Sequence, residues 1–156
     1  MPTPTDDSVI EALNASVSIH LEASYHYTLA AVQFGIEYPK LGEILSAYAA
    51  DEQKHLRAVC DRLNFYGIRA TSEHQPPADW TMLDYESFLA ASLGLAQRAR
   101  DVELDGVDSC RAAGDETSAL LFAGLLAGSE EFIRGVEATR TRIDQAGLDN
   151  VLASFI

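Results

Sequence analysis

The residues best suited to chemistry in this sequence are His20, Glu52 and His55. Glu52 and His55 are three residues apart, so both side chains lie on one face of a helix. His20 precedes them on another helical segment, and Tyr27 shares its face seven residues later. If the two segments form a hairpin, His20, Glu52 and His55 converge on one point. Two imidazoles and a carboxylate suit Fe(II), Zn(II) or Mn(II).

The elements that must position these residues are helices, since apolar residues recur at helical spacing and strand signals are missing. We predict one domain over residues 1–156, with helices at about 7–34, 41–66, 85–113, 116–145 and 148–155. A polar stretch with a Pro-Pro pair, residues 69–83, separates the second helix from the third. Two short connections and one long one predict an all-α four-helix bundle with one long crossover and a short fifth helix.

The composition excludes several classes of partner. The chain has 11 basic and 24 acidic residues, a net charge of −13, which disfavours nucleic acids and anionic membranes and favours cations. Cys60 and Cys110 have no metal-binding spacing. Because no export signal or long uncharged apolar stretch is visible, we expect a cytoplasmic protein that binds neither a membrane nor nucleic acid.

Several segments resemble ferritins. The first helix contains Leu-Asn, His-Leu, Ala-Ser-Tyr and Tyr elements in the ferritin order, at Leu13–Asn14, His20–Leu21, Ala23–Tyr25 and Tyr27. The second contains the Glu-x-x-His motif in a form especially similar to bacterioferritins, and the Pro77–Trp80 and Gly147–Leu152 segments resemble the crossover and the end of the bundle. The resemblance implies a ferritin-like bundle, bound iron, Fe(II) oxidation and a homo-oligomer, either a cage or a dimer.

The chain departs from the di-iron ligand pattern of that family. Glu52 and His55 match their positions, but the helix-one Glu is replaced by His20. Counting without gaps places the helix-three Glu at Ala96 and the helix-four ligands at Ser129 and Phe132. The resemblance therefore implies a thinned site, in which one metal position keeps its ligands and the other loses its own.

Two glutamates could restore the lost ligands. Glu103 lies on the same face as Ala96, seven residues further on, within a Glu-Leu-Asp-Gly string similar to the bacterioferritin ligand segment. We interpret this match as accidental, because it leaves little helix before Gly114. Glu130, or its neighbour Glu131, could replace Ser129 if the fourth helix rotates, and Glu130 is therefore included among the predicted metal ligands with His20, Glu52 and His55.

Haem and redox chemistry complete the expectations from the resemblance. Bacterioferritins place the axial haem Met directly after the helix-two Glu, where this chain has Gln53, so we expect no haem. Tyr27 lies one seven-residue step beyond His20 and is the predicted catalytic residue, as a hydrogen-bond donor or a radical donor.

Three functions are compatible with these features. The first is iron storage or detoxification with weak or altered ferroxidase activity, using one or two iron ions per chain. The second is a mononuclear Fe, Zn or Mn protein, or an oxygen-using enzyme, on the same bundle. The third is a structural or interaction protein that has lost its metal chemistry.

Overall fold

The computed structural model describes residues 6–73 and 84–156. The described residues form five α-helices. Their bounds are α1 Asp7–Gly35, α2 Pro39–Phe65, α3 Tyr85–Ala112, α4 Glu116–Ala146 and α5 Leu148–Ala153. The predicted all-α bundle with a short fifth helix is thus confirmed. Pro77 and Trp80, two residues of the crossover resemblance, lie outside the described residues.

Helices α1 and α2 form a tight antiparallel hairpin. Asp6 begins α1 as its N-cap, since its carboxylate accepts a hydrogen bond from the Ser8 amide at 2.9 Å. Proline is favoured in the first turn of a helix because its missing N–H has no partner there, and Pro39 begins α2. The two helices touch closely at Gly42, where a Cβ atom would lie 2.6 Å from the Gly35 Cα.

The second hairpin joins α3 and α4. Gly114 has φ +73°, a left-handed conformation that ends α3. Asp115 then caps α4 by accepting a hydrogen bond from the Ser118 amide at 3.1 Å. Its carboxylate also accepts a hydrogen bond from Arg62 Nη2, on α2, at 2.8 Å. This ion pair ties the end of the first hairpin to the turn of the second.

The two hairpins pack mainly through α1 and α3, while α2 and α4 touch at only a few positions. The beginning of the crossover runs back along α1. The Thr71 amide donates to Asn14 Oδ1 at 2.8 Å, and the Glu73 amide donates to Ser18 Oγ at 3.0 Å. The α2–α4 side of the described bundle is consequently its open side.

The hydrophobic core is divided into two parts. One contains Phe34, Phe88 and their neighbours, and the other contains Leu13, Phe122 and theirs. Along each of α1, α2 and α3, the chain passes from one part to the other through a polar position. Those polar positions are His20 on α1, Glu52 and His55 on α2, and Glu103 on α3. The bundle therefore contains a polar layer at mid-height, between two apolar ones.

None of the helices within residues 6–73 and 84–156 is both long and apolar enough to cross a membrane.

Candidate metal centre

His20 is the centre of the polar layer. It faces inward because it continues the apolar face of α1, and only 3% of its surface is exposed. Its Nδ1 atom lies 2.7 Å from Glu52 Oε2, a hydrogen bond between the first two helices. On the other side of the ring, Nε2 lies 3.7 Å from Glu103 Oε1 on α3. One imidazole thus lies between two carboxylates from different helices.

Glu52 and His55 complete the cluster from α2. Their spacing brings His55 Nδ1 to 3.6 Å from Glu52 Oε2, and the His55 ring centroid lies 5.2 Å from that of His20. Ligand atoms of His20, Glu52 and His55 all lie within 4.8 Å of one another, so they could hold one metal ion. The structure therefore brings these three predicted ligands together, as the hairpin argument requires.

Glu103 also lies in this layer, a position that the interpretation of its sequence match as accidental did not anticipate. Its side chain is fully buried and approaches His20. The helix does not end too early, since α3 continues to Ala112, nine residues beyond Glu103. The Glu-Leu-Asp-Gly string was the sequence signal for this residue. Ala96 occupies the same helix face about two turns away and is also buried.

Unpartnered polar atoms are concentrated in this cluster. A buried polar atom without a hydrogen bond is costly and rare in folded proteins. Five buried side-chain atoms of the described residues lack a hydrogen-bond partner. Four of them are His20 Nε2, His55 Nδ1 and both carboxylate oxygens of Glu103. A cation bound between them would satisfy these atoms, and they therefore fit a metal ion.

The electrostatics of the two carboxylates differ. Burial raises the pKa of Glu103 to about 7. Burial alone would also raise the pKa of Glu52, but the neighbouring His20 and His55 imidazoles lower it to about 2. The adjacent Glu52 carboxylate in turn raises the pKa of His55. A divalent cation would favour the ionised form of Glu103, because its positive charge would offset the cost of burying the carboxylate.

Tyr27 is buried beside the cluster, with 3% of its surface exposed. Its ring packs edge-on against those of Tyr48 and Phe132, at centroid distances of 5.8 and 5.6 Å. Burial, reinforced by the nearby Glu52 charge, raises the pKa of Tyr27 well above its ordinary value. The phenol consequently remains protonated in the physiological range.

Glu130 is not part of the cluster. Its carboxylate lies 3.2 Å from Arg100 Nε on α3, and 49% of its side chain is exposed. Successive residues of a helix point about 100° apart, so Ser129 faces the interior while Glu130 faces outward. Helix α4 has therefore not rotated in the way that the prediction required.

At the α4 positions of the family's second metal, the chain has Ser129 and Phe132 instead of ligand residues. Ser129 and Phe132 line the interior cleft together with Glu52 and His55. The Phe132 ring packs against Tyr48 at a centroid distance of 5.3 Å. An aromatic ring and a hydroxyl thus occupy the two positions that carry ligands in the family pattern. Glu131 of α4 also lines the cleft, but the residues whose ligand atoms cluster are His20, Glu52 and His55.

His20, Glu52, His55 and Glu103 come from three helices and meet between them, rather than lying on one turn at the surface. A family model described as a ferritin-like domain matches residues 10–146. The chain belongs to the ferritin family. That match includes all four side chains of the polar layer and confirms the resemblance inferred from the motifs.

A curated relative is the bacterioferritin of Streptomyces coelicolor. It is 27% identical over 164 aligned residues, covering 97% of this chain and 90% of the relative. The similarity therefore extends over nearly the whole bundle rather than a single motif. Within the ferritin family, this member combines the intact Glu52–His55 motif with His20 and Glu103.

Proposed function

We propose that this ferritin-like protein binds Fe(II) at His20, Glu52, His55 and Glu103 and serves in iron storage or detoxification. The observation that carries the proposal is the buried polar layer with four unpartnered atoms. Membership of the ferritin family and similarity to a bacterioferritin support iron as the metal. Two carboxylates balance the charge of one divalent ion, and imidazoles are suitable ligands for iron.

Each side chain has a distinct role in this proposal. The low pKa of Glu52 keeps its carboxylate ionised and ready to bind. Its hydrogen bond to His20 Nδ1 orients that imidazole, as outer partners commonly do for metal-binding histidines. His20 would then offer Nε2 to the metal, with Glu103 as the neighbouring oxygen donor. Binding is coupled to loss of the Glu103 proton.

Fe(II) oxidation should be slower than at a complete two-metal site. Reducing one dioxygen molecule to hydrogen peroxide consumes two electrons and two protons, and each Fe(II) supplies one electron on becoming Fe(III). With Ser129 and Phe132 in place of α4 ligands, the second ion lacks a charged ligand from that helix. The two electrons must then come from successive or differently bound ions.

Tyr27 remains our predicted catalytic residue. Its ring lies next to the α2 face that carries Glu52, and burial keeps its hydroxyl protonated. A neutral phenol can donate a hydrogen bond to a carboxylate, or give up one electron together with its proton to a dioxygen-derived oxidant. Replacement with phenylalanine preserves the packing and removes both abilities.

Storage would also require an assembly, and we propose a homo-oligomer. Val32 and Ile36 are large apolar residues near the end of α1 that are 68% and 84% exposed in the single chain. Exposed apolar residues of this kind favour contact with another protein surface. The net charge of −13 suits a protein that accumulates cations. A cytoplasmic location remains a prediction.

The test is aerobic loading with Fe(II), followed by size exclusion and iron counting in the protein peak. Storage predicts a large assembly containing iron far above one or two ions per chain. A variant with His20→Ala and Glu52→Ala should load more slowly, whereas Glu137→Gln, on the exposed side of α4, should load like the wild type. Iron at one per chain or below would contradict storage.

A mononuclear metal protein is the second candidate, because the ligands cluster around one position and none comes from α4. It predicts one metal ion per chain, no mineral and a fixed stoichiometry as more Fe(II) is added. The same iron-counting measurement distinguishes it from storage.

A further inference from the structure

The open side of the bundle contains a cavity of about 720 Å³ between α2 and α4. This volume is within the range of cavities that bind small molecules, about 300–1,000 Å³. Its walls are mainly apolar and aromatic, including Leu45, Tyr85, Phe88, Val136 and Phe155. It is therefore large and apolar enough to hold a small organic molecule.

Small residues of α4 help to form the cavity. Gly128 and Gly135 are seven residues apart and both line it. A Cβ atom added to either glycine would meet no other atom within 4 Å. Because neither glycine needs a special backbone conformation, their absent side chains leave room in the middle of a helix. Glycine is otherwise unfavourable at such positions.

The two ends of the cavity differ in charge. Asp51, Glu52 and Glu131 lie at the end beside the metal cluster, and Arg142 lies at the other. Ser129 and Arg142 are thirteen residues apart on α4, which corresponds to about 20 Å along the helix. The cavity is thus an elongated apolar space with an acidic end and a basic end.

Within residues 6–73 and 84–156, Arg142 has no acidic partner. No carboxylate of these residues lies within 4 Å of its guanidinium, and its Nη2 donates a hydrogen bond to Thr139 Oγ1 at 3.2 Å. Arg62, Arg98 and Arg100 each pair with an acidic side chain, whereas Arg142 differs from the other arginines of α4 in lining the cavity. An unpaired guanidinium at the rim of an apolar cavity, in an acidic protein, can receive an anionic group.

We propose that this cavity binds an apolar monocarboxylate, with the carboxylate at Arg142 and the hydrocarbon chain extending toward the metal cluster. Guanidinium groups bind carboxylates through two parallel hydrogen bonds. The acidic side chains at the opposite end would repel the carboxylate and so fix the orientation. This inference is independent of the proposed iron function, because metal-free protein suffices to test it.

The experiment is isothermal titration of metal-free protein with octanoate, decanoate and 1-octanol. We expect saturable octanoate binding near one molecule per chain. Decanoate should bind roughly tenfold more tightly, because two further methylenes enter the cavity. Replacing Arg142 with glutamine should weaken octanoate binding roughly tenfold and leave 1-octanol binding unchanged.

Matched variants separate the cavity from the general surface. Gly135→Leu fills the cavity and should abolish binding of octanoate and 1-octanol, whereas Gly124→Leu, at an open position outside it, should not. Arg140→Gln controls for the loss of a positive charge on α4. Circular dichroism and thermal unfolding establish that each variant folds.

Three results would overturn the inference. The first is the absence of saturable binding by the wild-type chain. The second is an equal effect of Arg142→Gln on octanoate and 1-octanol. The third is that Gly135→Leu changes the oligomeric state but leaves ligand binding unchanged. That result would indicate that the cavity is an interface between two copies of the chain. Iron loading has no bearing on any of the three.

Discussion

Replacing Glu103 with glutamine should stabilise the metal-free protein at high pH while weakening its metal binding. Burial raises the pKa of Glu103 from 4.5 to about 7. Between these values the folded protein binds more protons than the unfolded chain, so the free energy of unfolding falls as the pH rises. Stability contributed by the protonated carboxyl is complete below about pH 4.5 and is lost as the pH passes 7.

The magnitude follows from the two pKa values. The difference between about 7 and 4.5 corresponds to about 3–4 kcal/mol at roughly 1.4 kcal/mol per pH unit. Glutamine resembles the protonated acid in shape but does not ionise. At pH 5 the variant should therefore differ from the wild type by less than about 1 kcal/mol, and at pH 8 it should be more stable by about 2–3 kcal/mol.

The assay is urea unfolding at pH 5 and pH 8 in the presence of a chelator. Glu137→Gln, on the exposed side of α4, provides the control for removal of a negative charge. Metal binding by Glu103→Gln should be weaker than wild type at both pH values. Equal stability of the variant and the wild type at pH 8 would refute the claim that burial of the ionised Glu103 carboxylate destabilises the metal-free protein.

Three further predictions concern single substitutions. His55→Ala should weaken Fe(II) binding by roughly 100-fold, measured by competition with a chelating dye, whereas Gln53→Ala on the same helix should not. Asp115→Ala should lower the free energy of unfolding by about 2–4 kcal/mol, because it removes both the α4 cap and the partner of Arg62; an effect below about 0.5 kcal/mol would contradict this. Gly106→Ala should destabilise by about 1–3 kcal/mol, since its Cβ would lie 2.5 Å from the Phe122 ring. Gly94→Ala, at an open helical position, should be neutral or slightly stabilising in the same unfolding assay.

The bundle and the α1–α2 part of the centre could be predicted because they depend on local information. Helix caps such as Asp6 and the left-handed Gly114 mark where helices begin and end. Once α1 and α2 are joined by a short connection, their relative position follows, and His20 is brought opposite Glu52. Nothing beyond helical spacing and a hairpin was needed for that pair.

The position of α3 could not be obtained in the same way. It depends on the length of the crossover, and counting without gaps placed Ala96 where the structure has Glu103. A seven-residue shift turns a helix by nearly two complete turns, so both residues lie on the same face. The hydrophobic pattern of α3 is therefore almost the same whether Ala96 or Glu103 is aligned with the ligand position. Contact with His20 across the bundle is what distinguishes the two positions.

The prediction that Glu130 is a metal ligand differs from the structure for another reason. A shift of one residue turns the side chain by about 100°, enough to replace an interior direction with an exterior one. Ser129 faces inward although its side chain is less suited to bind a metal. The prediction favoured the better ligand type, whereas packing of Phe132 and Val136 against the core fixes the rotation of α4.

Anaerobic titration of the purified chain with Fe(II) tests the central claim most directly. The account predicts one tightly bound Fe(II) per chain, with binding lost in the double variant His20→Ala and Glu52→Ala and retained in Glu130→Gln. Two equally tight ions per chain would contradict the loss of the second position. Unchanged binding in the double variant would contradict the assignment of the site.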